Sequence, residues 1–201
     1  GVAQLTAIVG GCDLTTFQCF ETTSVPVAGV GTIRFSGVGA QIHGTEVYGQ
    51  YIRRIETSAD SMGIVSSYFA GNRPPANGDV IGEIIAGGPG MHECSVSVNG
   101  GNIGTVRGEG PNASFTYNVF AGTGGFEKLS GLYFYSNFVQ MPGTVQNLES
   151  TTWMEYNIIR VGSLENLYVG GDFALNELTV AGRAGRLDIR GAMLSSYVIL
   201  Q

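Results

Sequence analysis

The chain has 201 residues, of which 43% are apolar, only 13% are charged and 32 are glycine, so it is long and apolar enough for one domain, predicted over 1–201, with a sizeable core. Sixteen acidic against ten basic side chains give a net charge of −6, which argues against nucleic acid as a partner, because phosphate backbones are bound by basic surfaces. No apolar run approaches the roughly 18 residues of a membrane-spanning helix, so membrane insertion is not expected.

The N-terminal segment combines an apolar start with a candidate disulfide. The chain opens with Gly-Val rather than Met and shows no leader, as in a processed protein or a fragment. Cys12 and Cys19 bracket six residues and can either close as a local disulfide or remain two reduced thiols. The acidic, low-lysine, Gly/Ser/Thr/Asn-rich composition favours the disulfide and a location that is extracellular or at the cell surface.

A short unit, apolar-x-x-apolar-x-apolar, recurs along the chain. Its last two apolar residues point to one face of a strand, and the first lies across a bend. Glycine at the second position predicts a positive φ there in four units, at Gly31, Gly82, Gly104 and Gly185. The clearest units begin at Val30, Ile81, Ile103, Leu129, Tyr156, Leu164, Leu175 and Ala184, with weaker ones at Val2, Ile52 and Leu194.

The spacing of these units predicts a solenoid. The last four units are 9 to 11 residues apart and the earlier ones 22 to 29 apart, which suggests three faces of about ten residues and a coil of about thirty. Helical periodicity is nearly absent. We therefore predict an all-β chain folded as a right-handed parallel β-helix (β-solenoid). An antiparallel β-sandwich or jelly roll stays open as the alternative, although Asn-Gly hairpin signals are few.

Three segments carry a resemblance to a known group of proteins. They read Gly-Asp-Val-Ile-Gly-Glu-Ile-Ile-Ala-Gly-Gly at 78–88, Gly-Gly-Asn-Ile-Gly-Thr-Val-Arg-Gly at 100–108 and Arg-Leu-Asp-Ile-Arg-Gly at 186–191. They resemble the G-D-I-G-x-I repeats of secreted bacterial (planctomycete-type) Gly-rich parallel β-helix proteins. The resemblance implies a secreted scaffold with few assigned activities. Segments 109–124 and 135–155 depart from it, so irregular excursions are predicted there.

Side chains for catalysis or metal binding are sparse. The histidines, His43 and His92, lie in no nucleophilic motif. His92-Glu93-Cys94 places three metal-ligand types in a row, but successive strand residues point to opposite faces, so neither a metal site nor a cofactor is predicted. The remaining cysteine, Cys94, is expected to be a small buried side chain. Acidic residues are spread singly, without the close pair that glycoside cleavage needs, so we predict no enzyme.

Residues 131–138 hold the best candidate for binding. If Leu132 and Phe134 point inward, Tyr133 and Tyr135 point outward about 7 Å apart on one strand face. Two such tyrosines can stack on a sugar chain or a partner protein, or be covered by the loop that follows. Weaker aromatic pairs are Tyr48 with Tyr51 and Trp153 with Tyr156.

The two ends of the chain suggest self-association. Residues 194–201 read as a strand without a cap, and an exposed solenoid end is a template for pairing with another chain. Val2 and Leu5 at one end and Tyr197 and Ile199 at the other are the predicted assembly residues. The function predicted first is a structural subunit that associates head to tail in a surface layer, appendage or matrix fibre. A carbohydrate-binding or polysaccharide-degrading domain is the alternative, followed by a virion or tail-spike component.

Overall fold

The protein is a parallel β-solenoid. The computed structural model describes residues 8–9, 29–72, 74 and 79–201, and the secondary structure assigned there consists of β-strands. The strands stack in parallel on three faces, with one strand per face in each of eight coils. The all-β solenoid predicted from the repeats is confirmed. The antiparallel sandwich is not the fold, because the strand pairs in the described residues run parallel.

Each face is a stack of strands from successive coils. Face 1 contains β2 (Val30–Phe35), β5 (Ile52–Thr57), β8 (Ile81–Gly87), β11 (Ile103–Glu109), β14 (Phe126–Gly131), β21 (Ala184–Ile189) and the second parts of β16 (Phe138–Ser150) and β18 (Ile158–Val169), with β1 (Ile8–Val9) paired to β2. Face 2 contains β3 (Ile42–His43), β6 (Ile64–Val65), β9 (Gly90–His92), β12 (Ser114–Thr116), β15 (Phe134–Tyr135), β17 (Met154–Glu155), β19 (Phe173–Ala174) and β22 (Met193–Leu194). Face 3 contains the first parts of β16 and β18 together with β4 (Glu46–Gly49), β7 (Tyr68–Gly71), β10 (Ser95–Val98), β13 (Val119–Gly122), β20 (Glu177–Val180) and β23 (Tyr197–Leu200).

A coil is shorter than the repeats suggested. Register partners on face 1 lie 22 residues apart at Ile84 and Val106, and 19 residues apart at Leu148 and Leu167. One coil, between Ile55 and Ile84, has 29 residues, but the expected length of about thirty is wrong for the other coils. Strands of face 2 are only two or three residues long, so three faces and their corners fit into about twenty residues. Two units that begin about ten residues apart in the sequence therefore lie on different faces of one coil.

Residues 109–124 and 135–155, where irregular excursions were predicted, belong to the regular stacks. They hold β12, β13, β16 and β17. The core continues through them without a break, and the rings of Phe115 and Phe134 stack at 5.0 Å with an interplanar angle of 11°. At equivalent inward positions in these segments, some coils have an aromatic side chain and others an aliphatic one. The repeat is therefore hard to recognise in the sequence.

Glycine at the second position of the unit has a different role from the predicted one. Positive φ angles occur at other glycines, and Gly82, Gly104 and Gly185 are not among them. A β-carbon at Gly82 would lie 2.6 Å from the backbone oxygen of Arg53 in the preceding coil. Glycine is required there because two coils approach closely, so the prediction of positive φ at these positions is wrong.

The corner between face 2 and face 3 has a constant six-residue form. The third residue takes a left-handed conformation in every coil, at Gly44, Ser66, Glu93, Tyr117, Ser136, Tyr156, Leu175 and Ser195. The fourth residue points inward, and in four consecutive coils it is a buried asparagine, at Asn118, Asn137, Asn157 and Asn176. A left-handed residue turns the chain sharply. The polar side chain of the next residue forms hydrogen bonds with backbone groups that the turn leaves without a partner.

These asparagines form a continuous hydrogen-bonded ladder through the core. The side-chain oxygen of Asn157 accepts from the backbone N–H and the side-chain amide of Asn137, both at 2.9 Å. The Asn157 amide donates to the backbone oxygen of Phe134 at 3.0 Å. Cys94 and Ser196 extend the ladder at its two ends, where the Cys94 N–H donates to the Asn118 side chain and the Ser196 hydroxyl accepts from the Asn176 N–H. The corner is thereby fixed in the same shape from coil to coil.

Candidate functional site

Five aromatic side chains from three consecutive coils meet on the outside of face 2 and at its corner with face 3. We call them the aromatic surface: Tyr117, Tyr133, Tyr135, Trp153 and Tyr156. Phe115, Phe134 and Met154 pair in register on face 2 and are buried. Because these three side chains point into the core, their neighbours in the short strands point outward. The regular stacking of coils therefore brings the aromatic rings together.

Three tyrosines of the aromatic surface form an edge-to-face row along the solenoid. The ring centroids of Tyr117 and Tyr135 are 5.5 Å apart, as are those of Tyr135 and Tyr156, with interplanar angles of 82° and 75°. His92 continues the row from the preceding coil, 5.6 Å from Tyr117. Along the row, an outward residue of a face 2 strand, His92 or Tyr135, alternates with a left-handed corner residue, Tyr117 or Tyr156. Edge-to-face geometry is a favourable arrangement for aromatic pairs and holds the rings in place.

The predicted pair, Tyr133 and Tyr135, is bridged by a residue from the next coil. Trp153 stacks on Tyr133 with centroids 4.5 Å apart and planes 16° apart, and it meets Tyr135 edge-on at 6.5 Å. Both tyrosines are partly exposed, while Tyr117 and Tyr156 are about half exposed, at 50% and 47%. The structure thus joins Tyr133 and Tyr135 to Trp153 and Tyr156 in one surface.

The surroundings of the aromatic surface are acidic. Glu155 pairs with Tyr135 in register on face 2, and Glu93 lies beside His92, with 3.4 Å between Nε2 and Oε1. Partial desolvation raises the pKa of the Tyr135 hydroxyl, and the neighbouring Tyr117, Tyr156 and Glu155 raise it further. The Tyr135 hydroxyl therefore stays protonated at neutral pH and is able to donate a hydrogen bond.

The remaining aromatic candidates lie apart from this surface. Tyr48 is on face 3, where its ring is 5.3 Å from that of Tyr68 and its hydroxyl donates to Glu46. His43 is exposed at the end of β3. In the sequence His92-Glu93-Cys94, the Cys94 side chain is buried in the core whereas His92 and Glu93 are exposed or partly exposed. The three potential ligands therefore do not converge.

Cys94 is a buried free thiol at the fourth position of the corner. Its sulfur lies 3.4 Å from the backbone oxygen of Ile64 and 3.3 Å from that of His92. Burial raises the pKa of the Cys94 thiol to about 11. Since the thiolate is the reactive form of cysteine, this environment suppresses its reactivity.

We expect iodoacetamide to alkylate native Cys94 at pH 8 at least about 100-fold more slowly than the same residue in urea, because the thiolate fraction is small at this pKa. Mass spectrometry of the peptide that contains Cys94 measures both rates. The raised pKa in the folded state also means that unfolding releases a proton, so the Cys94 contribution to stability falls as pH rises from 9.0 to about 11. Equal labelling rates in buffer and urea would contradict this environment for Cys94.

Acidic side chains on the outside of face 1 are engaged by arginines. The Arg54 guanidinium lies between Glu56 and Glu83, with Nε–oxygen distances of 2.9 and 3.4 Å. Arg107 lies between Glu83 and Glu109 in the same way. These carboxylates form a surface ion-pair ladder across coils.

The last described coil has apolar side chains at inward positions that no other described coil covers. Leu187, Met193 and Leu200 occupy inward positions yet are 37%, 49% and 59% exposed, whereas their register partners Leu167, Phe173 and Val180 are buried. The predicted assembly residues Tyr197 and Ile199 also lie in this coil, at outward positions of β23, and are exposed. The sequence predicted assembly residues in this coil, but it did not identify the inward-pointing residues Leu187, Met193 and Leu200.

Four predicted residues lie outside the described part of the chain. They are the disulfide candidates Cys12 and Cys19 and the assembly candidates Val2 and Leu5. Both pairs therefore stay predictions.

Tyr117 is the member of the aromatic surface that sequence reasoning missed, and Trp153 and Tyr156 were assigned only a weak role. A signal for them exists in the spacing of the ladder asparagines. Tyr117 and Tyr156 each precede an asparagine, Asn118 or Asn157, with a third asparagine of the series between them. Aligning the chain on these asparagines places both tyrosines at the same corner position, two coils apart.

The fold defines the class of protein as a parallel β-solenoid. Comparison with protein-family models, with curated proteins and with solved structures finds no match to this chain. Within the part of the chain that the structure describes, no helix has the length and apolar character needed to cross a membrane.

Proposed function

We propose that this protein is a non-enzymatic structural subunit, extracellular or at the cell surface, that associates with copies of itself through the end of its solenoid. The observation that carries the proposal is the exposed interior of the last coil, at Leu187, Met193 and Leu200. A surface layer, an appendage or a matrix fibre is the kind of assembly that such a subunit builds.

The last coil has the chemical properties of an assembly surface. Among the described strands, β21, β22 and β23 each pair on one side, with β18, β19 and β20. Their other edges carry backbone donors and acceptors that a further parallel coil would satisfy. Apolar inward side chains flank these edges, so an added coil would bury apolar surface and complete hydrogen bonds at the same time.

Head-to-tail association is the geometry that continues the solenoid. In the first described coil the inward residues Val30, Ile33 and Ile42 are buried, and β1 already pairs with β2. We propose that the mate for the last described coil is the segment with the predicted assembly residues Val2 and Leu5, which lie outside the described residues. Association of this type repeats one contact indefinitely and produces a fibre rather than a closed oligomer.

The composition supports a place outside the cell. Lys128 is the single lysine of the chain, and glycine and small polar residues are abundant. On the outer faces, ion pairs such as Lys128–Glu149 and Arg160–Glu177 join neighbouring coils. These features suit a durable scaffold.

We expect the untagged protein to form larger species as its concentration rises, and Leu200→Asp to abolish them. Leu200 points inward at the exposed end, so a charge there would be buried in the contact without a partner. The expected weakening is about 100-fold or more in the dissociation constant. Sedimentation velocity gives the mass distribution, and electron microscopy shows whether the species are fibres.

Thr179→Asp is the matched control, because Thr179 points outward on β20 and lies one coil before the exposed end, in register with Ile199. We expect this variant to associate as the unmodified protein does. Monomers at every concentration would refute the proposal, as would assembly of Leu200→Asp equal to that of Thr179→Asp. Closed dimers without fibres would refute the head-to-tail geometry.

A further inference from the structure

We infer that the aromatic surface is a binding site for a neutral, extended polysaccharide. The inference is independent of self-association, because Tyr117, Tyr135 and Tyr156 lie at the corner of faces 2 and 3 and not at the end of the solenoid. It adds Trp153, Tyr117 and Tyr156 to the two tyrosines that the sequence suggested. Three lines of evidence support it: the repeat of the rings, their exposure and the local charge.

The rings repeat along the solenoid with a fixed spacing. Tyr117 and Tyr156 occupy the same left-handed corner position, and two coil steps separate them. Parallel strands stack at about 4.8 Å, so the equivalent positions are about 9.5 Å apart along the axis. This distance is comparable to two successive sugar units in an extended glycan, so alternate residues of a chain laid along the corner would meet equivalent rings.

The exposed groups have the mixed chemistry that sugars require. Sugar rings present apolar C–H faces and polar hydroxyl edges, and tyrosine and tryptophan offer an apolar body with a polar tip. Tyr117 and Tyr156 each expose about half of their surface. The packed row of rings and the stack of Trp153 on Tyr133 hold these groups before any ligand arrives. Binding to a preorganised surface costs little side-chain entropy.

The charge near the rings selects against acidic glycans. Glu155 is the direct neighbour of Tyr135 on face 2, and Glu93 occupies the same corner position as Tyr117, one coil before it. The strands β9, β12, β15 and β17 contain no lysine or arginine. A uronate or sulfated chain would meet these carboxylates and no lysine or arginine on the face 2 strands beside the rings, so a neutral glycan is the class of ligand that fits.

The test uses gel electrophoresis in gels that contain one soluble polysaccharide: hydroxyethyl cellulose, galactomannan or polygalacturonate. We expect one of the two neutral polymers to retard the protein and polygalacturonate not to. Trp153 is the only tryptophan of the chain, so its fluorescence should change saturably with the retarding polymer. Tyr117→Ala and Tyr156→Ala should each weaken binding about tenfold, as truncation of an aromatic contact typically does.

Tyr48→Ala is the matched control, since Tyr48 is an equally exposed tyrosine on face 3, and it should bind as the unmodified protein does. Circular dichroism confirms that each variant is folded. Each sample is also run with Leu200→Asp, so that self-association and binding are measured separately. The inference is overturned if neither neutral polymer retards the protein, if polygalacturonate alone does, or if Tyr156→Ala binds like Tyr48→Ala.

Discussion

Replacing Asn157 by leucine is expected to lower the free energy of unfolding by roughly 3–5 kcal/mol. Leucine has the same number and branching of side-chain heavy atoms but no polar ones, so the backbone N–H and the side-chain amide of Asn137 would lose their shared acceptor. The backbone oxygen of Phe134 would lose its donor. All three groups are buried in the core, where each unpaired polar group costs about 1–3 kcal/mol. Urea denaturation followed by circular dichroism measures the change.

Asn166→Leu is the control for this prediction. Asn166 also bonds an asparagine of the preceding coil, with its amide 3.2 Å from the Asn147 oxygen, but on the exposed outside of face 1. Water can replace that bond, so the expected change is within about 0.5 kcal/mol. If Asn157→Leu proved as stable as Asn166→Leu, the corner would be fixed by apolar packing and not by the ladder.

The ladder also explains which part of the fold was accessible from the sequence. Face 1 was predicted closely, because units starting at Val30, Ile52 and Ile81 coincide with the starts of β2, β5 and β8. Its inward residues are aliphatic with a constant spacing, which periodicity detects. The unit predicted from Leu129 was displaced, since β14 spans Phe126–Gly131. A phenylalanine there takes the place of the usual aliphatic residue at the start of the strand.

The corner between faces 2 and 3 was not predicted, because polar residues define it, whereas the recurring unit was found from apolar residues. The sequence places Tyr156 and Leu175 as the first apolar residues of their units, across a bend from the strand, and they are left-handed corner residues with exposed side chains. Residues other than glycine rarely adopt the left-handed backbone conformation unless the surrounding structure imposes it. The stacked corners and the ladder impose it here. Only comparison of one coil with the next makes this visible.

The candidate site was predicted in part for the same reason. Alternation within a strand correctly placed Phe134 inside and Tyr135 outside. The contacts of Tyr135 with Tyr117 and Tyr156 cross from coil to coil, and they depend on a coil length near twenty residues. An assumed coil of thirty residues would set different side chains beside Tyr135. The geometry of the aromatic surface therefore depends on the register between coils.

Gly90→Ala is expected to destabilise the protein by more than about 3 kcal/mol. Gly90 begins β9 with φ at +96°, a conformation that alanine adopts only with strain. A β-carbon there would also collide with the backbone of Ser114 in the next coil. Both coils would have to move apart, and the ladder bond between Cys94 and Asn118 lies a few residues away on the same pair of coils. Thermal and urea unfolding measure the loss.

Gly37→Ala separates the two causes of that destabilisation. Gly37 has a positive φ of +108°, close to that of Gly90, but a β-carbon there would meet nothing within 4 Å. Only the backbone strain remains at this position, so the expected loss is about 1 kcal/mol. A loss at Gly37 as large as that at Gly90 would assign the cost at Gly90 to backbone conformation. A much larger loss at Gly90 assigns the excess to the close approach of coils, the same constraint that accounts for glycine at Gly82 and Gly104.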